Sequence, residues 1–221
     1  MRLVDHPEQI AAWPDPTEEH PWVVMISGCM MGEACSVNGD DYGFGGVLDP
    51  LAKLGNVRVV SFCPEHVGLG TPRTMPDLHG GDGFDVLDGE ARVKDEFGAD
   101  LTDGMVVGAR AMVEEATLEK VRFAVLLDAS GACGTQIISD GCRFDEPRKR
   151  QRGVGVAAAA LARAGVPIMS QRDYKTMGLL LARLAPDFVP DQGALDHHET
   201  EWVKENLPEP RVWPIQKRTP S

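Results

Sequence analysis

Three cysteines, Cys29, Cys63 and Cys133, each follow a short apolar, β-branched segment within a few residues. Segments of this kind are typical of buried strands in a parallel sheet. In chain order they are Trp22–Ser27, Val57–Phe62 and residues 121–127. Ligands of open parallel sheets bind outside the carboxyl ends of the strands. We therefore expect the three thiols to converge at one edge of a sheet.

Three converging thiols have several chemical uses. A structural zinc site needs four ligands and usually contains close Cys-x-x-Cys pairs, which this chain lacks. A single catalytic thiol needs a neighbouring base and leaves the other two thiols unexplained. Simple burial is common for free cysteine, and it suits Cys142 and Cys35 better than the three cysteines at strand ends. An iron–sulfur cluster held by three thiolates would leave one iron open to a substrate sulfur or oxygen.

Residues beside these cysteines are candidates for chemistry. Glu65 can act as a general acid or base, although a surface or helix-capping carboxylate is an equally good interpretation. Ser130 can hydrogen-bond a substrate or a water, or be an ordinary turn serine. Arg73 can orient an anionic or carbonyl substrate, or form a surface ion pair. Gly131 and Ala132 allow backbone N–H groups to approach a cluster or a substrate closely.

The elements that must position these residues alternate along the chain. A fourth apolar segment, residues 166–169, predicts a further strand, and three segments with apolar residues at helical spacing predict helices. The helical segments are residues 105–116, 154–164 and 177–184. This alternation predicts a single α/β domain at 21–185, with a mostly parallel, Rossmann-like sheet flanked by helices. Residues 1–20 and 186–221 are predicted to be extensions, the second packed on the domain.

The stretch 66–93 is rich in glycine and proline. A long loop of this composition inside a compact domain usually has a function, often as a lid or a binding loop. We therefore expect residues 66–93 to form a long functional loop beside the strand ends.

Charge and composition restrict the partners and the compartment. The 221 residues include 22 basic and 34 acidic side chains, a net charge of -12, which disfavours duplex nucleic acid. A basic stretch from Arg143 to Arg152 is expected to be a solvated loop. The chain has no apolar run long enough to span a membrane, and its first twenty residues are too acidic for a signal peptide. A cytoplasmic location is expected, where five cysteines favour metal binding or catalysis over disulfides.

A series of motifs occurs in an order that is specific as a whole. They are Ser-Gly-Cys-x-x-Gly-x-x-Cys-x-x-Asn-Gly at 27–39, Phe-Cys-Pro-Glu at 62–65, Gly-Thr-Pro-Arg at 70–73, Asp-Gly-x-Ala-Arg-Val at 88–93, Ser-x-x-Cys-Gly at 130–134, and a helix–strand unit at 153–170. In this order the chain resembles the small bacterial domain family that includes thiouracil desulfidase. The resemblance covers about residues 22–172.

The resemblance implies a cofactor, a reaction and roles for particular residues. Characterised members hold a 4Fe-4S cluster by three cysteines, and its open iron takes the sulfur of a thiolated nucleobase. By position, Cys29, Cys63 and Cys133 become the cluster ligands, and Ser130 and Glu65 become the catalytic residues. The implied function is a desulfidase, a C–S hydrolase or lyase that removes sulfur from a small thiolated compound such as thiouracil without redox chemistry.

Two other functions stay open. A sensor or carrier would hold the cluster without turnover and would not need the two catalytic residues. Hydrolysis or dehalogenation at another leaving group would use the same open iron.

The chain also departs from the family's usual pattern. The segment 130–134 reads Ser-Gly-Ala-Cys-Gly where Ser-Pro-Ser-Cys-Gly is usual, Leu127 replaces a common lysine, and Val37 replaces a tyrosine. The cluster ligands are therefore kept while the lining changes, which leaves the exact substrate open. Whether the protein forms a homodimer is open as well.

Overall fold

The computed structural model describes residues 1–41 and 48–207. Its strands, in chain order, are β1 (Trp22–Ser27), β2 (Val57–Phe62), β3 (Asp77–His79), β4 (Arg92–Lys94), β5 (Phe123–Leu126), β6 (Ile137–Ser139), β7 (Arg150–Arg152) and β8 (Ile168–Ser170). Its α-helices are α1 (Glu8–Ala12), α2 (Asp49–Ala52), α3 (Pro64–Leu69), α4 (Gly83–Leu87), α5 (Thr102–Leu118), α6 (Val156–Arg163), α7 (Tyr174–Leu184) and α8 (Glu201–Asn206). Short 3₁₀ helices lie at Leu3–Asp5, Gly28–Met30 and His197–Glu199.

Four parallel strands form the central sheet in the order β2-β1-β5-β8. Both faces of the sheet are buried. Met25 of β1 faces the core formed with α5 and α6, whereas its neighbours Val24 and Ile26 face the core formed with α7. This two-sided burial explains why the strands appear in the sequence as continuous apolar runs. The predicted α/β fold with a parallel sheet is confirmed.

The three predicted helices are present as α5, α6 and α7, with ends that differ from the predictions by a few residues. Asp100 Oδ1 accepts the N–H of Thr102 at 2.8 Å and so caps the first turn of α5. Gly165 ends α6 with a φ of 81°, a conformation that favours glycine. Strand β5 is shorter than the predicted segment 121–127. Strand β8 starts two residues later than the predicted segment 166–169.

The expected long loop at 66–93 is wrong, because this stretch contains most of α3 together with β3, α4 and β4. Strands β3 and β4 pair antiparallel, and Leu78 and Val93 on them are fully buried. Helix α4 begins at a capping box in which Asp82 and Asp85 accept each other's backbone N–H groups. The glycines of the stretch 66–93 therefore serve turns between short elements and do not form an irregular lid.

The basic stretch is also more ordered than expected. Arg150–Arg152 forms β7, which pairs antiparallel with β6, so a solvated loop is wrong for these residues. Arg143 forms an ion pair with the buried Asp77 at 2.7 Å. The guanidinium of Arg150 lies 5.7 Å from the ring centroid of Trp202 in α8. The basic side chains thus attach the C-terminal segment and the β3 region to the domain.

Both extensions pack on the central domain in the described residues. Leu3 and Ile10 belong to the core beside α7, and Trp13 stacks on Phe123 of β5 with ring centroids 5.7 Å apart. Arg183 of α7 donates to the carbonyl of Ile10 at 2.9 Å. In the part of the chain that the structure describes, no helix combines the length and apolar character needed to cross a membrane.

Candidate active site

The order of the central strands creates a switch point between β1 and β5. From β1 the chain crosses to β2 on one side, and β5 and β8 then follow on the other side. Ligand crevices of open α/β sheets form at such a point, beyond the carboxyl ends of the strands. Cys29 lies in the 3₁₀ helix after β1, Cys63 directly follows β2, and Cys133 lies in the turn after β5. All three line one cavity of about 270 Å³, so the expected convergence of the thiols is observed.

A fourth thiol, Cys35, lines the same cavity. Only 4% of its surface is exposed, and its thiol is hydrogen-bonded to the thiols of Cys29 and Cys63. The Cys63 thiol also donates to the Cys35 carbonyl oxygen at 3.7 Å. Interpretation of Cys35 as an ordinary buried residue therefore missed a member of the site. Its only sequence signal was its place in the motif at 27–39.

The pKa values of these thiols determine whether they are protonated before a metal binds. Burial raises the pKa of Cys133, and the hydrogen bond that Cys63 donates to Cys35, together with burial, raises the pKa of Cys63. The hydrogen bond with Cys29 raises the pKa of Cys35 to about 12. Such thiols stay protonated at neutral pH unless a strongly electrophilic metal replaces the protons. Metal loading of this cavity should therefore release protons.

The donor set fits an iron–sulfur cluster. Thiolates are soft ligands that select such clusters among biological metal sites, and three of these thiols come from three different strand ends. Within residues 1–41 and 48–207, no three His, Cys, Asp or Glu side chains are arranged to hold a single metal ion. The cysteine ligands of a cluster bind different irons and need not converge on one point, so this spacing is compatible with a cluster.

Helix α3 places Cys63 and the residues that follow it. Cys63 is the N-cap, its sulfur accepts the N–H of His66 at 3.4 Å, and Pro64 occupies the first helical turn. Helices α3 and α5 pack so closely that their backbones are in contact. A Cβ atom on Gly108 would lie 1.9 Å from the carbonyl oxygen of Pro64, and one on Gly68 would lie 2.0 Å from that of Gly104. Because these glycines have no side chains, the two helices can approach closely. This approach sets the position of the start of α3 beside the cavity.

Glu65 lies in the cavity wall with both carboxylate oxygens engaged. Its Oε2 accepts Nη2 of Arg73 at 2.6 Å, and its Oε1 accepts the hydroxyl hydrogen of Ser130 at 2.9 Å. Arg73 is 5% exposed, and its Nη1 donates to the carbonyl oxygens of Cys35 and Gly70 at 3.0 and 3.1 Å. The contacts of Arg73 thus hold Glu65 in place and join it to the cysteine loop.

Ser130 uses its whole hydrogen-bonding capacity on the protein. Its Oγ donates to Glu65 and accepts the N–H groups of Ala132 and Cys133 at 3.2 and 3.0 Å. Both lone pairs of Ser130 Oγ are thus occupied by backbone N–H groups. The serine therefore orients Glu65 Oε1 and leaves proton uptake to the carboxylate.

Gly131 and Ala132 lie in the turn behind the cavity and are absent from its lining. The carbonyl oxygen of Ala132 accepts the N–H groups of Ala157 and Ala158 at 2.9 and 3.1 Å, which fixes the turn on α6. A Cβ on Gly131 would lie 2.5 Å from the carbonyl oxygen of Pro76. Their described contacts support the turn that carries Cys133, and a role as substrate ligands stays a prediction, as it does for Arg73.

The rest of the lining includes the positions where the sequence departs from the family pattern. Val37 and Leu127 both line the cavity, together with Asp128, Arg143 and Arg172. Apolar side chains thus replace the usual tyrosine and lysine beside the thiols. Asp128 was not singled out from the sequence, because an acidic residue after a strand usually serves a turn.

Comparisons with known proteins agree with this site. The sequence profile of the 2-thiouracil desulfurase family matches residues 24–173, and the chain belongs to this family. The uncharacterized protein YbbK of Bacillus subtilis (strain 168) is 30% identical over 153 residues, which are 68% of this chain and 97% of YbbK. A solved structure of the [4Fe-4S]-dependent thiouracil desulfidase TudS is similar with a TM-score of 0.60 and 28% identity, covering 73% of this chain and 98% of TudS. The resemblance inferred from the motifs is confirmed.

Proposed function

We propose that the protein is a 4Fe-4S-dependent desulfidase that removes sulfur hydrolytically from a small thiolated compound such as thiouracil. One observation carries the proposal: the three thiols and the hydrogen-bonded pair of Glu65 and Ser130 line the same cavity. Membership in the 2-thiouracil desulfurase family and the similarity to TudS support it. All five cysteines are free thiols, which suits the cytoplasmic location that we propose.

Cys29, Cys63 and Cys133 would hold the cluster and leave one iron without a protein ligand. When bound, the cluster supplies a Lewis-acidic iron that withdraws electron density from the thiocarbonyl carbon of the substrate. The backbone around the ligands is fixed independently, by the cap of α3 at Cys63 and by the hydrogen bond from Ser130 Oγ to the Cys133 N–H. The ligands are thus held in position by contacts of the protein.

Glu65 and Ser130 manage the protons of the hydrolysis. The overall change is that C=S and water give C=O and hydrogen sulfide, so one water loses two protons and the departing sulfur gains them. Glu65 accepts a proton from the attacking water and returns it to the sulfur, while the Ser130 hydroxyl donates a hydrogen bond that orients the carboxylate. Arg73 keeps the carboxylate oriented toward Ser130 throughout.

The size of the cavity favours a small substrate. Its volume of about 270 Å³ lies just below the range for small-molecule sites, and the cluster would occupy part of it. The net charge of -12 also disfavours a thiolated RNA as the substrate. Val37 and Leu127 give the substrate apolar walls, so a small thiolated base is the expected class.

The test is sulfide release from 2-thiouracil by anaerobically reconstituted protein, with iron and acid-labile sulfide measured on the same sample. We expect about four irons per chain, and sulfide and uracil formed in equal amounts. Cys133→Ser should lose both the iron and the activity. Cys142→Ser is the matched control, since Cys142 is absent from the cavity lining. Reconstituted protein that binds no iron, or a Cys133→Ser variant with full turnover, would refute the proposal.

A further inference from the structure

A buried hydrogen bond joins the C-terminal extension to the loop of the active site. His197 Nδ1 donates to Asp128 Oδ2 at 2.5 Å, and the side chains are 10% and 0% exposed. Asp128 directly precedes the turn of Ser130 and lines the cavity, whereas His197 comes from a 3₁₀ helix almost seventy residues later in the chain. No motif in the sequence indicated this contact, because the two residues are distant in the chain.

Asp128 joins the two ends of segment 128–137, which carries Ser130 and Cys133 and is called the catalytic turn below. Its Oδ1 accepts the backbone N–H groups of Thr135, Gln136 and Ile137 at 3.1, 3.2 and 3.1 Å. The carboxylate at the start of segment 128–137 thus holds the end of the same segment. Ala129, which follows Asp128, has a φ of 61°, in the left-handed region that a residue with a Cβ adopts only when its surroundings impose it.

The charge of Asp128 depends on His197. Burial by itself raises the pKa of Asp128, but the hydrogen bond from His197, with the backbone N–H groups, holds this pKa below its usual value. An ionised carboxylate is the better acceptor for three N–H groups. Removal of His197 would leave Asp128 Oδ2 buried without this hydrogen bond, which is costly.

His197 is itself held firmly. Its backbone N–H donates to Asp173 Oδ1 at 3.0 Å. The preceding residue, Asp196, accepts the backbone N–H and the hydroxyl hydrogen of Thr176 at 2.8 and 2.7 Å. Asp196 and Glu199 also form a capping box around the short helix of His197. The extension therefore presents the imidazole to Asp128 from a defined position on α7.

The pair lies partly outside the region shared with the family. The family profile matches residues 24–173, and His197 lies beyond this match. Asp128 lies within it, next to Leu127, one of the positions where the chain departs from the family pattern. The extension thus adds a contact to the catalytic turn that the matched region does not contain.

We propose that His197 is a positioning residue of the active site, which fixes the turn carrying Ser130 and Cys133 through its hydrogen bond to Asp128. Its effect on turnover rests on the proposed desulfidase function, but its effect on the turn does not. Contacts outside the immediate ligands of a metal site typically change activity or metal affinity by about 10- to 100-fold when they are lost.

The experiment compares three variants of the full-length, reconstituted protein. His197→Leu removes the donor, and His197→Asn keeps an N–H donor at about the position of Nδ1. His198→Leu is the matched control on the same 3₁₀ helix. Hydrogen–deuterium exchange of the amides in residues 129–137 measures the turn itself, and kcat and KM for sulfide release from 2-thiouracil measure its consequence.

We expect exchange in 129–137 to be about tenfold faster in His197→Leu, and close to wild type in His197→Asn and His198→Leu. We expect kcat to fall about 10- to 100-fold in His197→Leu with KM nearly unchanged, and to recover in His197→Asn. Unchanged exchange in His197→Leu, or a defect that His197→Asn does not relieve, would overturn the proposal. Wild-type protein that releases no sulfide would refute the desulfidase function, while the exchange data would still decide the role of His197.

Discussion

Ser130 donates its hydroxyl hydrogen to Glu65 Oε1 over 2.9 Å, although the two residues are 65 positions apart in the sequence. They meet because β2 and β5 end on either side of β1, at the same edge of the sheet. The other oxygen of Glu65 is fixed by Arg73 at 2.6 Å. The proton of Ser130 therefore has one defined acceptor, at the wall of the cavity that the thiols line.

This geometry predicts that Glu65→Gln loses catalysis without losing the cluster. The amide cannot accept a proton from water, so kcat should fall by about 100- to 10,000-fold. Iron content should stay at the wild-type level, because the ligands are cysteines. The measurement is sulfide release together with iron analysis on the same preparation.

A matched control is Glu119→Gln, which removes another glutamate that is paired with an arginine. Glu119 pairs with Arg58 at 2.6 Å and is absent from the cavity lining. Its replacement should leave kcat unchanged. If Glu65→Gln also turned over at the wild-type rate, the general-base role of Glu65 would be wrong.

The fourth thiol predicts a different result for Cys35→Ser. If Cys29, Cys63 and Cys133 are the ligands, this variant should still bind about four irons per chain. Its Mössbauer spectrum should keep the signature of one iron with a different ligand set. Cys133→Ser, prepared in parallel, should lose the cluster.

The opposite pattern would revise the ligand set. Cys35 is hydrogen-bonded to two of the proposed ligands, so exchange of one cysteine for another is sterically simple. Loss of iron in Cys35→Ser, with retention in Cys29→Ser or Cys63→Ser, would make Cys35 a ligand in place of one of them.

Sequence reasoning succeeded where a local pattern determines structure. Continuous apolar runs identified the parallel strands, and the rule that ligands bind beyond strand ends brought Cys29, Cys63 and Cys133 together. Neither inference required knowledge of side-chain packing. The placement of Glu65 and Ser130 in one cavity followed from the same rule, because each lies within a few residues of a proposed ligand.

Sequence reasoning failed where long-range packing determines structure. The glycines of 66–93 suggested a loop, but the capping box at Asp82 and the burial of Leu78 and Val93 order this stretch into short elements. Cys35 was indicated only by its place in the motif at 27–39, and His197 by no motif. Their roles depend on contacts with residues that are distant in the sequence or across a turn, which only the folded chain defines.

The close contact between α3 and α5 predicts that Gly108→Ala is destabilising although alanine is the better helix former. The new Cβ would lie 1.9 Å from the Pro64 carbonyl oxygen, which is backbone and cannot rotate away. Forced separation of the helices should lower the free energy of unfolding by about 1–3 kcal/mol. It should also shift Cys63 at the start of α3, so iron binding should weaken. Chemical denaturation and iron titration measure the two effects.

Gly178→Ala in α7 is the matched control for this prediction. A Cβ there would meet the nearest atom, on Pro190, at an ordinary distance of 3.4 Å. The substitution should raise the free energy of unfolding by about 0.4–1 kcal/mol, since alanine favours the helix. Equal stabilisation by Gly108→Ala would show that the two helices are not in backbone contact.

The buried carboxyl of Asp173 predicts a particular dependence of stability on pH. Burial, with a contribution from the charge of Asp196, raises the pKa of Asp173 from 3.8 to about 7. The folded protein therefore holds a proton on Asp173 between about pH 4 and pH 7 that the unfolded chain has released. Because the native state binds more protons in this window, this carboxyl lowers stability as the pH rises from about 4 to about 7, and adds no further change above it.

Asp173→Asn should remove this contribution, since an amide does not titrate. Between pH 5 and pH 8 the free energy of unfolding of the wild type should fall relative to that of the variant by about 2–3 kcal/mol. Urea denaturation at both pH values gives the difference. Asp187→Asn, at an exposed position, should follow the wild-type curve. Parallel curves for wild type and Asp173→Asn would mean that Asp173 is already ionised in the folded protein at pH 5, so the N–H of His197 would then be bound by a charged carboxylate.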